Sequence, residues 1–330
     1  MLHQLAEGES GSLEKWKNSV ARPCAKSTRL MLTVSAAFAA PLVRIMGLQP
    51  FGINLFGESE VGKTTALLAA TSIIGIGRES MLTNWNASAA SFGESAKVFN
   101  DSILAANEVG LLAGRRSDAY PKIRALIYQF AEGKEKARHS ASQYASNTAE
   151  SVWSGIFVST AEYSFNDYAS RSGERERSGG EYARCLDVPA TGSKASTIFD
   201  RDTEKNGESM KRAAARKLLV NLRLACERHR GRPIKAYIDY LLKHSDLKGQ
   251  IQKHMEGFYK AYDTSTLDGA LQHAAQYFAL IYAGGRLAIA AGILPWNRKD
   301  LRAAVVQCFD AAVDEVDKYD NALEKAKKRL

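Results

Sequence analysis

Apolar residues recur along the chain at two different spacings. Between residues 12 and 46 they fall at roughly helical intervals, with breaks at Pro23 and Pro41, which predicts an N-terminal helical segment. From Phe51 onward, short apolar runs alternate with glycine-bearing turns, a pattern typical of a parallel α/β sheet. The predicted strands are Ile53 to Phe56, Ser102 to Ala106, Ile156 to Ser159 and Cys185 to Val188.

The remaining pattern predicts a loop and then helices. Residues 171–181 (RSGERERSGGE) are charged and rich in Gly and Ser, so we expect them to form an exposed loop. Amphipathic segments follow at about 208–229, 233–261, 267–291 and 298–328. The sequence thus predicts an α/β fold in three parts: an N-terminal helical segment (1–48), a core built on a parallel sheet (49–200) and a C-terminal helical domain (201–330).

One segment matches a phosphate-binding loop in full. Residues 57–65 (GESEVGKTT) fit G-x-x-x-x-G-K-[ST], follow a predicted strand and precede a helical stretch. In such a loop the backbone N–H groups face a β-phosphate, the lysine adds a positive charge, and the following hydroxyl binds Mg²⁺. We therefore expect ATP and Mg²⁺ as ligands. The candidate nucleotide-binding residues are Gly57, Glu58, Ser59, Glu60, Val61, Gly62, Lys63, Thr64 and Thr65, with Thr64 also a metal ligand.

The second predicted strand ends in a candidate catalytic pair. A P-loop ATPase needs an acidic residue for Mg²⁺ here, commonly followed by a glutamate that polarises the attacking water. Residues 102–108 (SILAANE) have this form, but the metal-side position is Asn107, which brings no negative charge. We expect Glu108 to be the catalytic base, and Asn107 to contact nucleotide and metal while weakening Mg²⁺ affinity or hydrolysis. The alternative is that both residues only end a strand and begin a turn.

Further candidates lie at the third and fourth strands. Ser159 or Thr160 is placed to sense the γ-phosphate or the attacking water, although their hydroxyls would equally suit the end of a buried strand. Arg184, at the edge of the fourth strand, is the preferred candidate for an arginine that reaches the nucleotide of a neighbouring subunit. For Arg175 and Arg177 we expect a solvated loop instead.

Composition adds a charge surplus to this picture. The 330 residues include 45 Lys+Arg and 36 Asp+Glu, a net charge of +9 that favours an anionic partner. One basic cluster, Lys134, Lys136 and Arg138, would either follow a phosphate backbone or form an ordinary solvated hairpin. A second occupies one helical face and suits nucleic acid or an acidic partner helix; it carries Arg212, Arg216, Arg223 and Arg230.

Several classes of protein are excluded or disfavoured. The four cysteines are too widely spaced for a zinc knuckle or a disulfide framework. The first twenty residues lack the features of a signal peptide, and no apolar run reaches the ~20 residues that cross a bilayer. We expect a cytoplasmic protein that does not bind membranes.

The order and spacing of several motifs resemble the helicase-like family called domain of unknown function 927. The similarity runs from about Leu13 to about Phe309. The motifs that carry it are LEKWKNSV, AAFAAPLV, FGINLFGESEVGKTTAL, NWNASAAS, FNDSILAANEVG, EGKEKAR, IFVSTAE, ARCLDVPA and ALIYAGGRLAIAAGILPW. The resemblance implies an AAA+ P-loop ATPase related to replicative helicases. Such proteins are carried by phages and integrative mobile elements, and the implied activity is unwinding or translocation on DNA by a ring, a hexamer.

The resemblance also implies roles for individual residues. Lys63 and Thr64 would bind nucleotide and Mg²⁺, Glu108 would activate water, and Ser159 or Thr160 would act as sensor. Arg184 would act between subunits, while Lys134, Lys136 and Arg138 would fall in a DNA-touching hairpin. A primase portion often accompanies these proteins, so a primase or another replication protein is an expected partner. This chain departs from the family at Asn107 (for Asp), Gln276 (for a basic residue) and Arg286 (for Glu).

Three functions therefore remain open. The leading hypothesis is a DNA-stimulated ATPase that acts on single-stranded or forked DNA in the replication of a mobile element. The alternative, motivated by Asn107, is a slow or inactive ATP-binding switch or scaffold in a mobile-element or phage-defence complex. A small-molecule P-loop kinase is disfavoured because no acceptor-substrate lid can be identified.

Overall fold

A five-stranded parallel sheet forms the centre of the protein. The computed structural model describes residues 8–85, 89–111, 119–134, 152–173, 177–192, 195–201 and 212–327, with only the backbone at 89, 90, 111 and 320–327. The strand order is β2-β3-β4-β1-β5, and every neighbouring pair is parallel. The strands are β1 (Phe51–Phe56), β2 (Thr83–Asn84), β3 (Ser102–Asn107), β4 (Gly155–Ala161) and β5 (Cys185–Pro189).

Helices precede, connect and follow the strands. Before β1 lie α1 (Leu13–Trp16), a π turn (Lys17–Ala21), α2 (Arg22–Cys24), α3 (Thr28–Ala39) and α4 (Leu42–Met46). Between the strands lie α5 (Lys63–Thr71), α6 (Ala89–Val98), α7 (Ala119–Glu132), α8 (Phe165–Ser172) and α9 (Gly179–Tyr182). After β5 lie α10 (Arg212–Arg228), α11 (Arg232–Leu241), α12 (Leu247–Tyr259), α13 (Gly269–Ala290) and α14 (Arg298–Lys327).

The four longer strands, β1, β3, β4 and β5, are buried on both faces, as parallel strands usually are. Ile53, Leu55 and their equivalents on the other strands join a core made with α3, α5 and the helices after β5. Alternate residues such as Leu104 and Phe157 join a second core with α6, α7 and α8. On that second face Gly52 makes room for Phe157, because a Cβ at Gly52 would lie 2.0 Å from the Phe157 ring. The α/β fold with helices around a parallel sheet, expected from the sequence, is confirmed.

Helix α3 lies inside the protein. All twelve of its residues are buried, between α5 below it and α13 and α14 on its other sides. Helix α13 approaches very closely through Gly284 and Gly285. A Cβ at Gly284 would lie 2.6 Å from the Ala39 backbone N, and one at Gly285 would lie 2.5 Å from Ser35 Oγ. The first helices and the last helices therefore share one core, and the predicted boundary near residue 200 stays a prediction.

Two details of the helix pattern differ from expectation. The chain stays helical through Pro23 to Cys24, because the π turn before it accommodates the proline ring and its missing N–H. The segment 233–261 forms two helices, since α11 ends at Leu241 and Asp246 caps the start of α12 by accepting from Gly249 N. The break at Pro41 is confirmed.

The expectation of a solvated loop around Arg177 is wrong. The side chains of Arg177 and Asp187 on β5 are 0% and 2% exposed and form an ion pair of 3.0 Å. Asp187 also accepts hydrogen bonds from Asn54 Nδ2 on β1 and from Phe165 N at the start of α8. Arg177 further donates to the backbone oxygen of Cys185. Asp187 can be buried because Arg177, Asn54 on β1 and a backbone N–H of α8 all contact its carboxylate. Arg175 lies outside the described residues.

The half-buried His254 makes the stability of the protein depend on pH. Burial, together with the charges of Arg286, Arg298 and Lys253, lowers the pKa of His254 on α12 to about 4. The folded state thus binds fewer protons than the unfolded chain, so stability falls as pH drops from about 6.5 to about 4. Over this pH range we expect the free energy of unfolding of His254→Gln to fall by about 1 kcal/mol less than that of the parent protein. Urea unfolding at pH 7 and pH 4.5 measures this, and equal losses in both proteins would contradict it.

Two further findings concern the zinc, disulfide and membrane proteins considered in the sequence analysis. Cys24, Cys185, Cys226 and Cys308 are all buried and free, and burial raises the pKa of each thiol. Within the described part of the chain, no helix combines the length and hydrophobicity needed to span a bilayer.

Candidate functional site

The carboxyl ends of β1, β3 and β4 meet at one edge of the sheet and border a cleft of about 490 Å³. Parallel α/β sheets bind their ligands at this edge. The P-loop connects β1 to α5 at one side of the cleft, and residues after β3 and β4 form the other side. The lining residues are Ser59, Glu60, Gly62, Lys63, Thr64, Glu79, Glu108, Gly110, Thr160, Ala161, Glu162 and Arg223.

The P-loop needs its glycines. Gly57 and Gly62 have φ angles of 149° and 119°, which favour glycine, and Glu60 also has a positive φ of 64°. Gly62 is required for space as well, because a Cβ there would lie 2.7 Å from Ile198 Cγ2. Helix α5 begins directly after Gly62, so its free backbone N–H groups open onto the cleft.

Lys63 is held inside the P-loop. Its Nζ donates hydrogen bonds to the backbone oxygens of Gly57 at 2.6 Å and Glu58 at 2.7 Å. Burial lowers the pKa of Lys63, while the charges of Glu162, Glu108 and Glu58 act in the opposite direction. The ammonium group therefore lies among oxygens that phosphate oxygens can replace.

The two threonines after Lys63 face different surroundings. Thr64 lines the cleft, as a hydroxyl for a metal ion requires. Thr65 is fully buried, and its Oγ1 accepts a hydrogen bond of 2.8 Å from Arg223 Nε. Thr65, expected to bind nucleotide, thus contacts α10 instead of lining the cleft.

Three residues at the ends of β3 and β4 form a hydrogen-bonded chain. The Thr160 hydroxyl donates to Asn107 Oδ1 at 2.9 Å and accepts from the Glu108 backbone N at 3.1 Å. Glu108, whose backbone N makes the second of these bonds, has a left-handed backbone with φ of 53°. The chain places Glu108 at the cleft, while Asn107, 4% exposed, has its side-chain oxygen committed to Thr160.

Of the two sensor candidates, only Thr160 lines the cleft. Ser159 is fully buried on the other side of β4, where its Oγ accepts a hydrogen bond of 2.8 Å from Trp85 Nε1. Neighbouring strand residues point to opposite faces, so one of the two had to turn away from the cleft. The geometry favours Thr160 as the sensor, and its role stays a prediction.

The other side chains of the P-loop contact α10 and the end of β4. Glu58 and Glu60 lie 3.9 Å and 2.6 Å from Arg212 and Arg216, in exposed ion pairs that contribute little stability. Ser59 Oγ donates to Glu162 Oε1 at 3.0 Å. Val61 is buried, and its backbone oxygen accepts from Ile198 N.

The basic face of α10 therefore lies against the P-loop. The sequence suggested nucleic acid or an acidic partner helix for this face, whereas Arg212, Arg216 and Arg223 contact acids or a hydroxyl of the P-loop. Arg223 lines the cleft itself, with Nη1 3.8 Å from Glu79 Oε2. Neither Arg223 nor Glu162 was identified as a site residue from the sequence. Glu162 directly follows β4, three residues after Ser159, where the predicted strand ends, and the convergence of strand ends at this edge would have indicated its position.

Arg184 lies at the opposite edge of the sheet from Lys63. It precedes β5, and its Nη1 donates to the Gly180 backbone oxygen at 2.6 Å while its guanidinium lies 4.7 Å from the centre of the Tyr128 ring. It is therefore remote from the cleft of its own chain, and a role toward a neighbouring subunit stays a prediction.

Lys134 also lies away from the cleft, near the amino end of β4. It forms an isolated antiparallel bridge with Val152, so the chain on either side of residues 135–151 runs side by side. Lys136 and Arg138, the other candidate DNA contacts, lie outside the described residues. The Asn100 and Asp101 pair before β3 binds Arg44, through Nη2 at 2.8 Å and Nε at 2.6 Å respectively.

Comparison with known proteins finds a family model that matches part of the chain and a solved structure with a similar fold. Residues 3–149 match the family described as "Domain of unknown function (DUF927)". A solved structure described as "SCCmec type IV Cch - active helicase" has a similar fold, with a TM-score of 0.67 at 15% sequence identity. The similarity covers 97% of this chain and 54% of that one, so this chain spans about half of that helicase's length. No curated protein matches the chain.

The two findings bear on different parts of the chain. The structural likeness covers nearly all of it and shows the fold. The family match ends at residue 149, so the resemblance expected from there to about Phe309 stays a prediction. Residues 3–149 match the model of domain of unknown function 927, in agreement with the resemblance found in the motifs of that part of the chain.

Proposed function

We propose that this chain is an ATP-hydrolysing module of a DNA helicase or translocase that serves a mobile genetic element. The observation that carries the proposal is the cleft in which a complete P-loop, with Lys63 and Thr64, faces Glu108 across the end of β4. The similar fold of a protein described as an active helicase supports the same conclusion.

In this proposal the P-loop binds the triphosphate of ATP. The backbone N–H groups of residues 57–64 and Lys63 Nζ would contact β- and γ-phosphate oxygens, with Lys63 exchanging its loop carbonyls for them. Arg223 adds a second positive charge to the cleft. Its Nε donates to Thr65, and its Nη1, paired with Glu79 at 3.8 Å, would also contact a bound phosphate.

The cleft also suits Mg²⁺. Its donors are a threonine hydroxyl and carboxylates, the oxygen ligands that this ion prefers, and no group of three or more metal-binding side chains occurs among the described residues. That fits an ion bound mainly by phosphates and water, with few protein ligands. Thr64 would hold it, with Asn107 behind, and when bound it would offset charge on the phosphates.

Glu108 would accept the proton of the attacking water. It lines the cleft, and its backbone is held by Thr160, whose hydroxyl is shared with Asn107. A carboxylate at this place orients water and takes its proton as the phosphoryl group transfers. Thr160 would report the state of the γ-phosphate to Glu108 through this shared hydrogen bond.

The partners belong to the same proposal. DNA, single-stranded or forked, would contact Lys134, Lys136 and Arg138, and Arg184 would act on the ATP of a neighbouring subunit in a ring of six copies. A primase or another replication protein would work with this ring in the cytoplasm. The alternative, a slow ATP-binding switch or scaffold, is favoured by the missing charge at Asn107.

ATP hydrolysis with and without single-stranded oligonucleotides tests the proposal. We expect DNA to stimulate hydrolysis and Lys63→Ala to abolish it, because the triphosphate loses its main cation. Lys235→Ala, an exposed lysine on α11 paired with Asp239, is the matched control and should leave the rate unchanged. A protein that binds ATP but shows neither stimulation nor strand displacement would exclude a helicase and leave the switch, which predicts assembly on ATP without turnover.

A further inference from the structure

Because residue 107 is an asparagine, the proposed triphosphate site lacks a negative charge at the end of β3. Where an aspartate is expected, this side chain is neutral and nearly buried, and its oxygen accepts the Thr160 hydroxyl. Mg²⁺ bound to ATP is commonly held by an acidic residue at this place. A metal-side carboxylate in this cleft must therefore come from a residue other than Asn107.

Four glutamates line the cleft, and two of them are already paired. Glu60 forms an ion pair of 2.6 Å with Arg216, and Glu79 lies 3.8 Å from Arg223. The ion pairs between described residues include neither Glu108 nor Glu162. Glu108 is the proposed base, which leaves Glu162 as the carboxylate with no role so far.

The fold places Glu162 next to the start of the P-loop. It follows Ala161, the last residue of β4, which pairs with Phe56 of β1, and the Ala161 backbone oxygen accepts from Gly57 N at 3.2 Å. The Glu162 carboxylate then accepts the hydroxyl of Ser59, inside the loop, at 3.0 Å. Because β4 lies between β1 and β3 in the sheet, Glu162 occupies the space between the P-loop and the Asn107–Glu108 pair.

The electrostatics agree with this position. Among the acids that favour the charged form of Lys63 and so raise its pKa, Glu162 acts most strongly, followed by Glu108 and Glu58. Glu162 is thus the carboxylate most strongly coupled to the P-loop lysine.

We propose that Glu162 supplies the negative charge that Asn107 lacks and binds Mg²⁺, directly or through a coordinated water, beside Thr64. The inference rests on the proposed ATP site and adds the residue through which the site recognises the metal. A carboxylate from the neighbouring strand end serves as well as one from β3, because both open onto the same cleft.

Binding of a fluorescent ATP analogue, measured over a Mg²⁺ titration and in EDTA, tests this inference without relying on turnover. In Glu162→Gln we expect the Mg²⁺ concentration for half-maximal enhancement to rise about tenfold, the usual cost of losing a carboxylate near a metal. Binding in EDTA should be unchanged or tighter, because a negative charge near the triphosphate is removed. Adding Asn107→Asp to Glu162→Gln should restore the parent Mg²⁺ dependence.

Two controls separate charge from structure. Glu79→Gln removes a cleft carboxylate that is paired with Arg223 and should leave the Mg²⁺ midpoint unchanged. Ser59→Ala removes the hydrogen bond to Glu162, and if it reproduced the whole effect, loop positioning and not metal binding would be the cause. Thermal unfolding of each variant checks that it folds.

The outcomes are distinct. An unchanged Mg²⁺ midpoint in Glu162→Gln, an equal loss of binding in EDTA, or no rescue by Asn107→Asp would each overturn the role of Glu162 while leaving the ATP site intact. A parent protein that binds no ATP analogue would overturn the proposed function and this inference with it.

Discussion

Glu108→Gln should reduce ATP hydrolysis by at least about 100-fold, the lower range for losing a general base. Glutamine keeps the size of the side chain but cannot take a proton from water. The contact between Thr160 and Glu108 uses the backbone N of Glu108, so the substitution leaves it in place. ATP binding should therefore persist, and phosphate release measured beside binding of a fluorescent ATP analogue would show the difference.

The comparison with two other variants makes this result specific. Glu79→Gln also removes a carboxylate from the cleft, but one near Arg223, and should keep most of the activity. Lys63→Ala should lose binding and hydrolysis together. If Glu108→Gln hydrolysed ATP at the parent rate, the base would have to be another group, and the Thr160 contact would be structural only.

Arg177→Met should destabilise the protein by about 3–5 kcal/mol, the range for breaking a buried ion pair from one side. The substitution would leave Asp187 buried, with only Asn54 and backbone N–H groups as partners. Burial already raises the pKa of Asp187, and Arg177 is the charge that opposes this. Chemical denaturation at pH 7 would measure the loss as a shift of the unfolding midpoint.

A second substitution distinguishes charge from packing. Arg177→Met combined with Asp187→Leu removes both charges, and the pair of changes should cost less than Arg177→Met alone, because no unpaired charge remains buried. Arg171→Met, at an exposed arginine of the same region, should change stability by less than about 0.5 kcal/mol. A small effect of Arg177→Met would show that Asp187 is stabilised as a neutral carboxyl.

Most of the fold could be predicted because its signals are local. The four longer strands and the helices follow from apolar periodicity and breaks within each segment. The short strand β2, two residues at the sheet edge, has no such pattern and forms by pairing with β3. The burial of Arg177 was also hidden, since the Gly/Ser-rich sequence around it resembles a surface loop and its partners lie on other elements.

The site residues likewise fall into those that a local motif identifies and those that only the tertiary structure reveals. The P-loop is a contiguous motif with a strand before it and a helix after it, so Lys63 and Thr64 could be identified directly. The choice between Ser159 and Thr160 required the side of β4 on which each lies, which depends on Trp85 and Asn107. The approach of α10 to the P-loop depends on pairs such as Glu60 with Arg216, 156 residues apart, which no local pattern reports.

The close contact between α3 and α13 has a consequence for biosynthesis. Ala39 meets Gly284, 245 residues later in the chain, and at ~5–20 residues per second the ribosome needs on the order of 10–50 s to make that stretch. Until then α3, buried on every side in the finished protein, lacks its covering helix. The phosphate-binding loop is synthesised early. The core that supports it is therefore complete only after α13 and α14 have been synthesised and have packed against α3.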